Sequence, residues 1–398
     1  MRESAIDLDS AVASETEALY RVVQSGLQNG YALAVWKLPA EEQKNVLLSY
    51  NTKEYTPQTQ LEDLESGFLF CPFSRNERGH YLKADLLFKY KNGKPVTAET
   101  PLESRSVEWL KSQPEIHTPA SFYKPAADTE VLKGHQPDFK NLVQESINQI
   151  NEGIVEKLVP SRFKAIPLPA GFDPIASFQK LCMAYPNAFV SLVSLPEAGT
   201  WLGASPEILV QVLNRAIFRT VALAGTQPIR KGTTLKDVAW TQKEIEEQAL
   251  VSRYIINCFK KIRLREFEEH GPKTVIAGNL LHLKTDFEVD LKATNFPQLG
   301  SVMLNLLHPT SAVCGMPLEK ALQFLQQHEG YHRAYYTGFL GPVNIGEAIH
   351  VFVNLRCMQV INQYLVGYAG CGVTAESVPL KELEETEMKL NTLLSVVL

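Results

Sequence analysis

The pattern of apolar and polar positions changes character along this chain. Before Lys111 it resolves into few motifs, and from Asp138 onward it becomes periodic. Phe139, Leu142, Val143, Ile147 and Ile150 recur at a helical period, which predicts an amphipathic helix stopped by Gly153. IVEKLVPSR then reads as a strand. FVSLVSL, EILVQVL, AIFRTVAL and IHVFVNLRCMQV are further strands, rich in β-branched residues and partly alternating. Helices are predicted over 236–261, 317–328 and 379–396. Strands separated mostly by turns, with helices in blocks, predict an α+β fold. Large antiparallel β-sheets would pack in the core with helices outside, rather than one doubly wound parallel sheet. Pro114, Pro119, Pro125 and Pro137 mark the stretch from Lys111 to Pro137 as a long surface connection between a motif-poor first third and a motif-dense remainder.

Composition narrows the partners. With 398 residues the chain makes one large domain or two, and 45% hydrophobic residues supply a sizeable core. A net charge of 39 − 44 = −5 argues against nucleic acid or an anionic membrane as partner. Cys71, Cys182, Cys258, Cys314, Cys357 and Cys371 include no CxxC pair, so neither a zinc ribbon nor a disulfide framework is indicated. The N-terminal stretch is acidic (Glu3, Asp7, Asp9, Glu15, Glu17) with no apolar core, unlike a signal peptide, and no run of 18 apolar residues occurs. The expectation is a cytoplasmic protein with reduced thiols.

The densest candidate chemistry is ESVPLKELEETEMK, Glu376 to Lys389. Glu382, Glu385 and Lys389 are spaced i, i+3, i+7 and share one helix face. Leu383, Leu390 and Leu394 form a separate core stripe, and Glu384 and Glu387 read as solvated. Two carboxylates one turn apart repel unless a cation lies between them, and such hard oxygen ligands suit Mg²⁺. The bland alternative is a charged face that serves solubility. Gly370 and Gly372, in YAGCGV just before, allow close backbone approach to a ligand.

Three more residues have two readings each. Lys157 in EKLVPSR is either a snorkelling edge residue or a desolvated amine able to act as a base. Glu207 in GASPEILV is a surface glutamate at a strand start or a pocket carboxyl able to donate a proton. Glu247 lies on a helical stripe with Leu250, Val251, Tyr254 and Cys258. Burying it unpaired is costly, so it needs a metal or a basic partner. His328-Glu329-Gly330-Tyr331-His332 matches HExxH, but Gly330 falls where the helix should end, which argues against a zinc site. Neither GxGxxG nor a Walker A loop occurs.

In order along the chain, EKLVPSR, GASPE, ALAGT, EIEEQALV, LHPTSAVCGMP, RAYYTGFLG, VNLRC, YAGCGV and ELEETEMK resemble the chorismate-utilising enzymes. These are the isochorismate, salicylate, anthranilate and aminodeoxychorismate synthases, with an anthranilate synthase component I-like fold. The match runs from about Gly134 to Leu398. Residues 1–130 match weakly, as the N-terminal part of the same fold, and 131–398 would be the chorismate-binding catalytic region.

The resemblance also implies a subclass. Lys157 stands where isochorismate and salicylate synthases have a lysine base and the aminating enzymes have Gln. Ala224 stands where aminodeoxychorismate synthases have a nucleophilic lysine. Ala312-Val313 is nearer the Ala-Leu of isochorismate synthases than the Thr-Ala of salicylate synthases, with Val313 and Cys314 departing from the usual Leu and Ser. By resemblance, then, the chain converts chorismate to isochorismate for menaquinone or siderophore biosynthesis, as an isomerase. Lys157 would be the base and Glu207 the acid, 50 residues apart (207 − 157). Glu247 and Glu385 would hold Mg²⁺, with Glu382 nearby through water. Arg356, Lys389 and the backbone at Gly370 and Gly372 would take the substrate carboxylates, with Gly225, Thr226, His308, Ala312 and Tyr336 lining the rest. A monomer without an amidotransferase subunit is expected. The alternatives are a salicylate synthase, a zinc hydrolase on HEGYH and a non-catalytic chorismate-binding protein.

Overall fold

The computed structural model describes residues 8–125, 136–229, 234–235, 238–277 and 280–398. Part of the connection between Lys111 and Pro137, and the start of the helix expected from 236, lie outside them. FVSLVSL forms the strand Phe189–Leu195, buried along its whole length. Its alternation is blurred because both faces are covered: Phe189, Val193 and Leu195 turn one way, Val190 and Leu192 the other.

Two nine-stranded sheets, antiparallel at every pairing, organise the described chain. One runs from Lys94–Pro95 through Ala32–Lys37, Phe189–Leu195 and Gly199–Ser205 to Tyr364–Gly370 and Ser161–Pro167. The other runs from Glu268–Ala277 through Ile217–Pro228, Ile208–Leu213 and Phe339–Ile345 to Thr52–Tyr55. Each sheet therefore takes strands from both sides of the Lys111 to Pro137 connection. Between the sheets lies an aromatic core in which Phe189 stacks on Phe352 at 4.1 Å and Trp36 meets Phe68 at 5.3 Å. Helices Leu8–Gln28, Pro174–Ala184 and Pro379–Val397 cover the outside of the first sheet, and Gln242–Lys261 and Leu299–Leu307 that of the second. This is the α+β arrangement expected, with helices outside two packed antiparallel sheets. No described helix is long and apolar enough to cross a membrane, and all six cysteines are buried and none is in a disulfide.

The structure corrects several element boundaries. IHVFVNLRCMQV is not one strand: Ala348–Val353 lies in one sheet and Cys357–Ile361 in the other. The chain crosses at Asn354–Arg356, where Arg356 takes a left-handed φ of 47°. In IVEKLVPSR only Lys157–Leu158 pairs, with Gly315–Met316, before Pro160 interrupts and Ser161–Pro167 joins a different sheet. The helix expected over 236–261 begins at Gln242, because Thr241 caps it in a box with Glu244. Pro101–Ser112 was legible but overlooked: Thr100, Pro101 and Glu103 are a capping box with proline in the first turn.

Candidate active site

The sheets and their helices line a cleft open to solvent at its mouth. The turn between Gly199–Ser205 and Ile208–Leu213 delivers Glu207, whose carbonyl accepts the Val353 N–H at 3.0 Å. In Ile217–Pro228 the register slips between Ala224 and Gln227, and this bulge presents Gly225 and Thr226 to the cleft. The inter-sheet crossing supplies Arg356, and the loop after Leu299–Leu307 supplies Ala312. Tyr336, Gly370, Gly372, Glu247 and Lys389 complete the lining among the residues read from sequence.

Lys157 is fully buried, so it does not snorkel. Its Nζ donates to Glu247 Oε1 at 3.0 Å. Gly372 permits this contact: a Cβ there would lie 2.0 Å from Glu247 Oε1 and 3.1 Å from Lys157 Cε. The glycine thus makes room for the pair itself. Burial would raise the Glu247 pKa, but Lys157 and Lys243 outweigh it and hold the group ionised. Glu207 behaves oppositely: burial pushes its carboxyl up to about 8, against a weaker pull from Lys157 and Lys389. At neutral pH it is largely protonated.

Every carboxylate named as a metal ligand has its own lysine. Glu382 accepts from Lys243 at 2.6 Å, Glu385 from Lys389 at 2.8 Å, and Glu247 from Lys157. Lys389 also donates to the Gly370 carbonyl at 2.9 Å. Burial opposes the charge on Lys243, yet Glu385, Glu382 and Glu247 together raise its pKa. Burial, then the neighbouring Glu385, raises that of Glu382, whose Oε2 is buried without a hydrogen bond. No three metal-type ligands converge among the described residues. An all-oxygen donor set with an orphaned carboxylate oxygen still fits Mg²⁺, which needs only one or two carboxylates besides water and substrate.

Two residues of the candidate site escaped the sequence reading. Lys243 is one; it precedes Glu247 by one helical turn in the same charged run, a readable i, i+4 spacing. His282 is the other. It lines the cleft, with Nδ1 2.8 Å from the Gly225 carbonyl and Nε2 2.9 Å from an Arg356 terminal nitrogen. Burial, reinforced by Arg356, holds its pKa far below the usual histidine range. The neutral ring thus donates to the carbonyl and accepts from the guanidinium, aiming Arg356 into the cleft. Burial lowers the Arg356 pKa to about 10, so it stays charged.

His308 is not brought to the cleft. It ends the helix Leu299–Leu307, its N–H bonds to the Leu304 carbonyl, and its ring meets Phe339 edge-on at 4.8 Å in a separate pocket with Tyr55 and Arg75. Burial lowers its pKa to about 3. Only Ala312 and Val313 of that segment reach the cleft. Glu387 is not merely solvated either; it pairs with Arg162 and Lys164. The two histidines of HEGYH go separate ways: His328 pairs with Glu145 at 3.1 Å and His332 with Glu77 at 2.8 Å, since the helix stops at His328 and Gly330 turns the chain with φ 72°.

A buried acid, lysines facing carboxylates and an oriented guanidinium, beside two packed antiparallel sheets, make a site of enzyme type whose groups can hold an anion and donate a proton. The chain belongs to the family described as chorismate binding enzyme, which matches residues 15–398. The vibriobactin-specific isochorismate synthase of Vibrio cholerae is 26% identical over 297 residues, 72% of this chain and 73% of that one. The menaquinone-specific isochorismate synthase MenF of Escherichia coli superposes with a TM-score of 0.72 at 20% identity, covering 95% of this chain and 91% of its own. Anthranilate synthase component I of Streptococcus pneumoniae superposes at 0.64 and 18% identity, over 85% and 82% of the two chains. The fold thus hosts more than one chemistry, and the side chains must choose between them.

Proposed function

We propose that this chain isomerises chorismate to isochorismate. The observation that carries the reading is a carboxyl in the cleft wall, Glu207, that burial keeps protonated to about pH 8, with a fully buried lysine, Lys157, bonded to the cleft-lining Glu247. Lys157 takes the proton of a water as it attacks ring C2. Glu207 donates its proton to the C4 hydroxyl as that group leaves. The ring double bonds shift between the two events, and no electrons are lost or gained. Arg356, held by His282, and Lys389 take the substrate carboxylates. To act as a base Lys157 parts from the Glu247 carboxylate, so that pair is the contact the reaction has to open. Glu247 and Glu385, with Glu382 beside them, would hold Mg²⁺, which supplies charge neutralisation and orientation for a dianionic substrate. Ala224 brings no amine into the cleft, which favours water over amine chemistry. Relatives named for vibriobactin and for menaquinone belong to this comparison, so siderophore or quinone synthesis would receive the product.

The test is purified protein with chorismate and Mg²⁺, products separated by chromatography. Isochorismate should dominate, with ammonia and an amidotransferase subunit without effect. Dominant anthranilate or salicylate would replace this assignment with an aminating or a pyruvate-eliminating enzyme.

A further inference from the structure

We propose that Glu329 and Arg333, in the segment that resembles a zinc signature, are positioning residues: one buried ion pair that fixes the Lys157 segment against two other walls of the cleft. The proposal rests on the cleft being the active site. Both side chains are 3% exposed. A guanidinium has five N–H donors in a rigid fork, and here every one is placed. Arg333 Nε donates to Glu329 Oε2 at 2.7 Å. One terminal nitrogen donates to Glu329 Oε1 and to the Val159 carbonyl, the latter at 2.7 Å. The other donates to the Val313 carbonyl at 2.8 Å and to Thr337 Oγ1 at 3.2 Å. The Phe73 ring lies 4.5 Å from the guanidinium carbon.

The recipients are what matter. Val159, Val313 and Thr337 all line the cleft and come from three distant stretches of sequence. Val159 lies two residues beyond Lys157, Val313 follows Ala312, and Thr337 follows Tyr336. Glu329 Oε1 extends the tie by accepting the Ser161 N–H at 2.8 Å and the Ser161 hydroxyl at 2.9 Å. Backbone pairing already joins two of the segments, through the Val159 N–H to the Cys314 carbonyl at 2.9 Å. The guanidinium adds the third wall and takes carbonyls that no ladder uses. A buried ion pair is a poor device for stability, since apolar replacements of similar shape often do as well. It is a good device for geometry, because the planar fork accepts one arrangement of its recipients. Lysine, a point charge with three donors, would not reproduce it.

The reaction needs its base aligned with a water and a ring carbon, and a 1 Å misplacement costs on the order of 10²-fold in rate. The test compares wild type with E329Q/R333M, which removes both charges and roughly keeps the volume, and with R333K. Chorismate turnover is measured at a temperature where circular dichroism shows each folded. For the double variant kcat should fall on the order of 10²-fold with KM little changed and both limbs of the pH profile in place. R333K should recover only part of the loss. A folded double variant with wild-type kcat, lowered only in melting temperature, would overturn the proposal. If the double variant does not fold, T337V removes a single bond of the five; unchanged kcat there has the same meaning. A readout independent of turnover is amide hydrogen exchange in R333K. Segments 157–161, 310–316 and 335–338 should lose protection together, and loss confined to 329–335 would sink the clamp. Wild type without turnover but with this joint loss would strike the functional reading and leave the clamp standing.

Discussion

At the scale of single residues, burial sorts the candidates by task. Glu207 lines the cleft and Lys157 is bonded to the cleft-lining Glu247, and a positioned base or acid contributes on the order of 10²–10⁴ in rate. Lys157→Ala and Glu207→Gln should each lower kcat by such a factor while chorismate still binds, because neither residue is assigned to its carboxylates. The acid works only while protonated. With its pKa raised to about 8, wild-type kcat should fall as pH rises through that value. Glu207→Gln should abolish that upper limb and Lys157→Ala the lower one; if both keep kcat and raise only KM, these residues bind substrate instead. The proposed metal ligands divide in a way the sequence does not disclose. Glu247→Ala would strand a fully buried lysine, at a cost of roughly 3–5 kcal/mol in stability. Glu385→Ala leaves Lys389 its bond to the Gly370 carbonyl and should cost less. Both should raise the Mg²⁺ concentration needed for turnover. Calorimetric Mg²⁺ titration beside thermal melts separates the two effects, and a variant that titrates like wild type would show its residue is no ligand.

At the scale of elements, periodicity reveals strands but not their partners. FVSLVSL and EILVQVL are found as expected because β-branched runs bounded by turns carry their own signal. IHVFVNLRCMQV deceives because nothing apolar is missing at the crossing; only the left-handed turn at Arg356 divides it between sheets. That crossing places the guanidinium in the cleft, so the residue was legible and its reason was not. His282 went unseen because a lone histidine among leucines reads as core. His308 misled because its HPT neighbourhood contributes backbone and Ala312 to the cleft while its own ring packs away. The charged face of Pro379–Val397 was legible from spacing alone, but the lysine that pairs with Glu382, Lys243, comes from another helix.

At the scale of the molecule, stability resides between the sheets and chemistry at their edge. Phe352 stacks on Phe189 deep in the sandwich and does not line the cleft. Phe352→Ala should cost about 3–5 kcal/mol by denaturant titration, with kcat of the folded fraction near wild type. A large fall in kcat with stability intact would instead mean that the sandwich core communicates with the cleft.

The last lining helix has a temporal meaning as well. Chain order delivers the lysine first, then the acid, then the guanidinium, and finally Glu382, Glu385 and Lys389 on Pro379–Val397. The first sheet itself closes only with Tyr364–Gly370, shortly before this helix, so in chain order the sheets are complete just ahead of the site. Until that helix docks, Lys389 is missing from the cleft and Lys243 lacks the carboxylate it binds. A nascent chain stalled before this helix should be inert however well its sheets have packed.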